Sequence, residues 1–304
     1  MLWHMKEFDY WWDEKEDTAP IDYEALLGWI KQRRPATEPP LIAVLGHMHK
    51  FRGSALNKIA RIAGLLDVAD FNEVPDEQLA LPSTVVLKWS PFAGHAISNR
   101  HRARLPAGRH VLNDTHFDSG KRNVQSVFAA AAGYESRIDP KYYQGFIVSK
   151  SDTNGHHDGT IHRAPMAEFD SVKVFERLFD NSVGDDLVYD IRLPFVLGTP
   201  ALAYLKFRSR GRRFQNTTLC VKVAAPGEIL SDQEIAVCQR FCQSIGMEYG
   251  EIDVLRDGGD GRIYIIDANN TPAGPPKGLS IADRRLAMRL IATTFRQRVF
   301  NLAS

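Results

Sequence analysis

The chain is poor in cysteine and has no long hydrophobic run. Cys220, Cys238 and Cys242 are the only three in 304 residues, an odd number without Cys-x-x-Cys spacing. That supports neither a disulfide scaffold nor a zinc knuckle, and a reducing, cytoplasmic setting is the expectation. No apolar stretch reaches the ~20 residues of a membrane-spanning helix. The first residues carry Lys6, Glu7 and Asp9 where a secretory signal would be apolar. An excess of one charge is lacking too: 38 Lys and Arg stand against 37 Asp and Glu, for a formal net charge of +1. No overall field draws such a chain to nucleic acid or to a membrane. The Gly-Lys-Ser/Thr order of a Walker A loop is absent. No Ser-His-Asp or Cys-His arrangement offers a covalent nucleophile. What remains is the composition of an ordinary soluble enzyme, 44% hydrophobic and 25% charged, long enough for one large lobe or two to three small ones.

The chain opens with Trp3, Phe8, Tyr10, Trp11 and Trp12, then the acidic run Asp13 to Asp17, which argues against docking on an anionic bilayer. Apolar residues at helical spacing predict a helix over Tyr23 to Arg33. Pro35 to Pro40 reads as a linker. Strands are expected at Leu41 to Leu45 and Thr84 to Trp89, with a helix over Ser54 to Leu66 between them. That alternation describes a small open α/β lobe. His47 and His49 follow the first strand and lack a third ligand, so they read as solvent or substrate contacts. His95 to His110 carries Arg100, Arg102, Arg104 and Arg109; it is a solvated face or an anion site.

The richest stretch runs from Tyr249 to Pro272. Ile252 to Leu255 and Ile263 to Ile266 are apolar runs joined by Arg-Asp-Gly-Gly-Asp-Gly-Arg, a Gly/Asp turn of the hairpin type. Strand alternation points Asp267 and Asn269 to one face. A turn centred near Asp260 puts Asp253 opposite Asp267. Two carboxylates and an amide oxygen then converge. Like charges so close are costly without a counter-charge, and a hard cation such as Mg²⁺ supplies one. Upstream, Lys150 ends a strand over Phe146 to Ser149 and meets a loop containing Gly155 and Gly159. A point charge beside glycines that let backbone N–H groups come close suits phosphates. His156, His157 and His162 lack zinc spacing and read as loop polar groups, with His157 a candidate phosphate or substrate contact. Asp190 and Arg192 share one strand face. Tyr204, Lys206 and Arg208 share another, and more arginines follow to Arg213. Ser231 with Glu234 forms a capping box opening a helix over Asp232 to Gly246.

The acidic hairpin resembles the C-terminal metal hairpin of ATP-grasp enzymes, an acid on one strand and acid-x-Asn on the next. The second acid here is Asp267, where that family more often has Glu. The resemblance continues in chain order over residues 110–280. It implies that Lys121, at a helix head after Asn113, and Lys150 reach nucleotide phosphates, with Gly155 and His157 in the mobile glycine-rich loop. It implies that Glu176, Arg177 and Leu178 form the adenine hinge, and that Asp180 or the better-spaced Asp185 holds the ribose. Asp253, Asp267 and Asn269 would bind Mg²⁺, with Mn²⁺ as a substitute. Arg192, Arg208 and Asn216 match the reacting end of the ribosomal-protein glutamate ligase branch. The implied fold is α/β (α+β), with a small N-terminal lobe over 1–110 and ATP held between ATP-grasp subdomains over 111–180 and 181–304.

The activity so implied is an ADP-forming ligase. It joins a small-molecule, peptide or saccharide carboxylate to an amine, thiol or hydroxyl through an acyl phosphate. A kinase on the same fold and a non-catalytic nucleotide-binding partner are the alternatives. Neither nucleic acid nor a membrane span is expected, and a homodimer is compatible with the chain.

Overall fold

A computed structural model of the chain describes residues 40–46, 54, 67–90, 97–115, 117–153, 155–156, 158–215 and 217–300. The aromatic start, the helix expected over Tyr23 to Arg33, the linker but for Pro40, His47, His49 and all but Ser54 of the helix expected to Leu66 lie outside these residues. So do His95, His157 and Asn216.

The first sheet is parallel and holds β1 (Leu41–Gly46), β2 (Asp67–Asp70), β3 (Thr84–Trp89) and β4 (Val111–Leu112), in the order β2-β1-β3-β4. Leu-Ile-Ala-Val-Leu in β1 is apolar on both faces and buried throughout, as a central parallel strand requires. Ala43 and Leu45 join Phe71, Leu79 and Val86 on one side. Ile42, Val44, Leu87 and Trp89 join Tyr204, Tyr249, Ile291 and Phe295 on the other. The parallel sheet therefore shares a core with the C-terminal part of the chain.

A second, antiparallel sheet has the order β6-β5-β7, from β5 (Gly145–Lys150), β6 (Thr160–Ala164) and β7 (Val174–Arg177). The largest sheet runs β12-β11-β9-β13-β14. It contains β9 (Leu187–Val196), β11 (Ala203–Ser209), β12 (Cys220–Ala224), β13 (Tyr249–Arg256) and β14 (Ile263–Asn269), with β8 (Ser182–Val183) and β10 (Thr199–Pro200) paired to β9. Alternation along β9 sends Ile191, Leu193 and Phe195 into a core with Val124 and Phe128 of α1 (Lys121–Ala132) and Cys238, Phe241 and Cys242 of α2 (Asp232–Ser244). It leaves Asp190 and Arg192 on the opposite face.

The capping box read from the sequence is present. Ser231 Oγ accepts from the Glu234 N–H at 3.4 Å, and Glu234 Oε2 accepts from the Ser231 N–H at 2.9 Å. Arg256 then grips Glu234 at 2.5 Å, tying α2 to β13. The long helix α3 (Ile281–Val299), together with β6 and β12, was not expected from the sequence. Ser280 caps α3 by accepting from the Asp283 N–H at 3.0 Å. No described helix is long and apolar enough to cross a membrane.

The acidic hairpin forms with the expected pairing, by an unexpected route. Next to the turn Val254 pairs with Ile265, Leu255 with Tyr264 and Arg256 with Ile263. That register would set Asp253 opposite Ile266. A shift between Asp253 and Val254 puts one extra residue into β14, so Asp253 faces Asp267. Such bulges re-aim side chains: Ile266 and Asp267, though adjacent in sequence, line the same cavity.

Candidate nucleotide and metal site

Between the β6-β5-β7 sheet and the polar face of the largest sheet lies a cavity of about 190 Å³. Lys121, Lys150, Glu176, Leu178, Arg192, Arg208, Asp253 and Asp267 line it, together with Gly155. Distant parts of the sequence thus bring eight expected side chains and one glycine together. Lys121 stands at the first position of α1 and its Nζ lies 2.5 Å from Asp267 Oδ1. Lys150 ends β5 and meets Glu176 Oε1 at 2.7 Å on the neighbouring β7.

Arg192 lies at the centre of the charge network. Its Nε and one Nη hold Asp253 in a two-pronged pair at 2.7 and 2.8 Å, the geometry for which guanidinium is suited. Its other Nη lies 2.9 Å from Glu251. Lys206 Nζ stands 3.6 Å from Asp253. Arg208 bonds Asp190 at 2.5 Å, while its Nε is buried and has no partner among the described residues. Arg213 reaches Phe179 O at 2.8 Å and Asn181 Oδ1 at 2.6 Å.

Burial alone would raise the Asp253 pKa, but Arg192 and Lys206 outweigh it and hold that carboxyl far below the usual carboxylate range. Burial likewise opposes the Arg192 charge, and Asp253 and Glu251 overcome it to keep the guanidinium firmly protonated. For Asp190 and Glu251 burial wins over the nearby cations, and both stand above the ordinary range.

The loop after β5 closes on itself. Asp158 accepts from the Ser151 N–H at 3.0 Å and the Ser151 Oγ–H at 2.5 Å, and the Ser151 bonds pull its pKa down. Gly155 adopts φ +85°. At Gly159 a Cβ would come within 2.6 Å of the Phe214 ring, so glycine is what lets the cationic β11–β12 turn pack on this loop.

Other expected residues take different places. Arg177 points away from the cavity. Its Nη2 bonds Asp257 Oδ2 at 2.6 Å and Tyr264 Oη at 2.5 Å, and also meets Asp260, while its guanidinium covers the Tyr264 ring at 4.6 Å. A strand alternates, so the residue after the inward-facing Glu176 turns outward. Asp185 is exposed in the β8–β9 turn, where Gly184 has φ +61°, and does not line the cavity; Asp180 is exposed as well. Asn269 stands two rungs beyond Asp267, opposite Glu251. Its Oδ1 accepts from the Thr271 N–H at 2.9 Å. Asp190, Lys206 and Glu251 were missing from the expected site set. Their signal was alternation, since each lies two residues from Arg192, Arg208 or Asp253 on the same strand face.

No protein-family model matches the chain, and neither does any curated protein. Solved structures do. One is the ATP-grasp ligase PsnB complexed with a phosphomimetic variant of its minimal precursor, Mg and ADP. It matches at TM-score 0.50 and 15% identity, over 77% of this chain and 90% of that one. PsnB complexed with the precursor peptide PsnA2 and AMPPNP matches at TM-score 0.50 and 14% identity, over 84% and 97%. This chain has the ATP-grasp fold.

Proposed function

We propose that the chain is an ATP-dependent, ADP-forming ligase that activates a carboxylate. The observation that carries this reading is the Asp253–Asp267 rung on the wall of a cavity whose other charged groups include Lys121, Lys150, Arg192, Lys206 and Arg208. Paired carboxylates facing cations suit a polyphosphate neutralised by a divalent ion.

The donor set fits such an ion. Asp253 and Asp267 offer oxygen ligands from adjoining strands, with Asn269 two rungs further along. An ion such as Mg²⁺ keeps several waters and shares phosphate oxygens, so one or two protein carboxylates suffice to hold it. When bound, the ion neutralises charge on the phosphates. Lys121 and Lys150 hold phosphate oxygens from two sides. Glu176 to Leu178 border the adenine. Arg192 and Arg208, which line the cavity, stabilise charge on the transferred phosphoryl group and on the tetrahedral intermediate. The carboxylate oxygen attacks the γ-phosphorus and the bond to the ADP oxygen breaks, giving acyl phosphate and ADP. An amine, thiol or hydroxyl then attacks the acyl carbon and phosphate leaves. The protein supplies alignment and preorganised charge, where one donor typically contributes on the order of 3 kcal/mol.

PsnB binds a precursor peptide, and we carry over to this chain a peptide carboxylate as the first substrate to try. The test measures ADP release against pooled peptides, carboxylates and amines. Phosphate release equal to ADP release, and dependent on two co-substrates, supports ligation. A stable phosphorylated product makes the chain a kinase, and nucleotide binding without ADP production makes it a binding protein.

A further inference from the structure

Glu251 is buried, with only 4% of its surface exposed, yet it does not line the cavity that Asp253 and Asp267 line. It precedes Asp253 by two residues on β13 and so lies on the same strand face. Across the hairpin it faces Asn269. Its ionic contact among the described residues is Arg192 Nη1, at 2.9 Å.

Asp253 serves several cations at once. It takes Arg192 through both oxygens, at 2.7 and 2.8 Å, and has Lys206 at 3.6 Å. A two-pronged guanidinium pair uses both carboxylate oxygens. Under the phosphoryl-transfer reading above, on which this inference rests, Asp253 must also give an oxygen to a divalent ion. The fork on Arg192 then loosens. A buried guanidinium that loses its counter-charge is strongly disfavoured and moves to find another. Glu251 already holds the third corner of that guanidinium, and it is not among the residues that line the cavity. A carboxylate buried there has a cost of its own, which the Arg192 contact offsets only in part. We infer that Glu251 is a positioning residue: it keeps the Arg192 head group on the cavity wall while Asp253 serves the metal.

The experiment uses Mg·ADP as the probe and needs no acceptor substrate. The Arg192 Nη–H signals are followed by NMR in arginine-labelled full-length chain, identified by their loss in Arg192→Lys. Calorimetry gives Mg·ADP affinity. In the wild type the Arg192 signals should stay sharp and slow to exchange after Mg·ADP is added. In Glu251→Gln they should broaden, with exchange faster by about tenfold, while affinity changes by less than about threefold. Asp267→Ala, by contrast, should lose about a hundredfold in affinity. Glu251→Asp, which keeps the charge on a shorter stem, should give intermediate exchange and covers the case in which Glu251→Gln does not fold. Unchanged Arg192 exchange in either folded Glu251 variant overturns the inference, and so does a loss of affinity matching Asp267→Ala, which would make Glu251 a metal ligand. A wild type that does not bind Mg·ADP at all removes instead the phosphoryl-transfer reading.

Discussion

Asp253 and Asp267 face each other across the β13–β14 ladder because β14 carries one residue more than the turn-proximal pairing requires. Ile263 and Ile265 follow the strand period into the core, and without the extra residue Asp267 would follow them. The bulge turns Asp267 instead toward the cavity, where Lys121 meets it at 2.5 Å.

Lys150 and Glu176 form a buried ion pair at 2.7 Å. Lys150→Met should lower stability by on the order of 3 kcal/mol, because Glu176 is left without its counter-charge. Adding Glu176→Gln should return most of that stability, measured by urea unfolding. It should not return Mg·ATP affinity, because the missing ammonium is what the phosphates require.

The Arg177 side chain acts on the hairpin; the adenine contact expected of this residue belongs to its backbone. The side chain pins the β13–β14 turn through Asp257, Asp260 and Tyr264. Arg177→Ala should lower stability by roughly 2 to 3 kcal/mol while Mg·ADP affinity changes by less than about tenfold. A large loss of affinity without loss of stability would place the guanidinium at the nucleotide.

The three thiols should separate by reactivity. Cys220 is exposed, whereas Cys238 and Cys242 are buried. Burial pushes the Cys238 thiol up to about 12 and raises the Cys242 thiol well above the ordinary range too. A thiol reagent at about pH 8 should therefore modify one cysteine in the folded chain and all three after denaturation. An unfolded thiol ionises near 8.5. Between there and about 12 the folded chain keeps a proton at Cys238 that the unfolded chain has lost. Stability should then fall as pH rises through that window, by roughly 5 kcal/mol from this group. Cys238→Ala should make the slope of stability against pH shallower, whatever it does to the absolute value.

Ser231→Ala removes the acceptor at the start of α2. It should cost about 1 kcal/mol, read as a lower midpoint in thermal unfolding with nucleotide affinity unchanged.

Much of this architecture is legible in the sequence wherever local chemistry and pattern agree. The Ser231–Glu234 box, the apolar run of β1, the alternation of β9 and the Gly/Asp turn each state their structure directly. A turn centred on Asp260 predicts the Asp253–Asp267 pairing. The pairing holds because a bulge, invisible in the sequence, adds the residue that the true turn register lacks. Helix α3 was missed because its buried stripe of Ala287, Ile291, Ala292 and Phe295 is partly alanine and lies among arginines, so the apolar period is faint. Strand β6, Thr-Ile-His-Arg-Ala, lies at the sheet edge and carries no strong pattern. The direction of Arg177 and the use of the Asn269 oxygen by Thr271 are set by tertiary contacts that spacing does not encode. Glu251 went unnoticed because its importance depends on where the guanidinium of Arg192 lies, 59 positions away in sequence.

The most direct test is calorimetric titration of Mg·ATP into the wild-type chain and into Asp267→Ala, with thermal unfolding of both as a control. The account predicts metal-dependent heat of binding in the wild type, its loss in Asp267→Ala, and similar unfolding midpoints for the two. No heat with the wild type, or equal heat from both proteins, would contradict it.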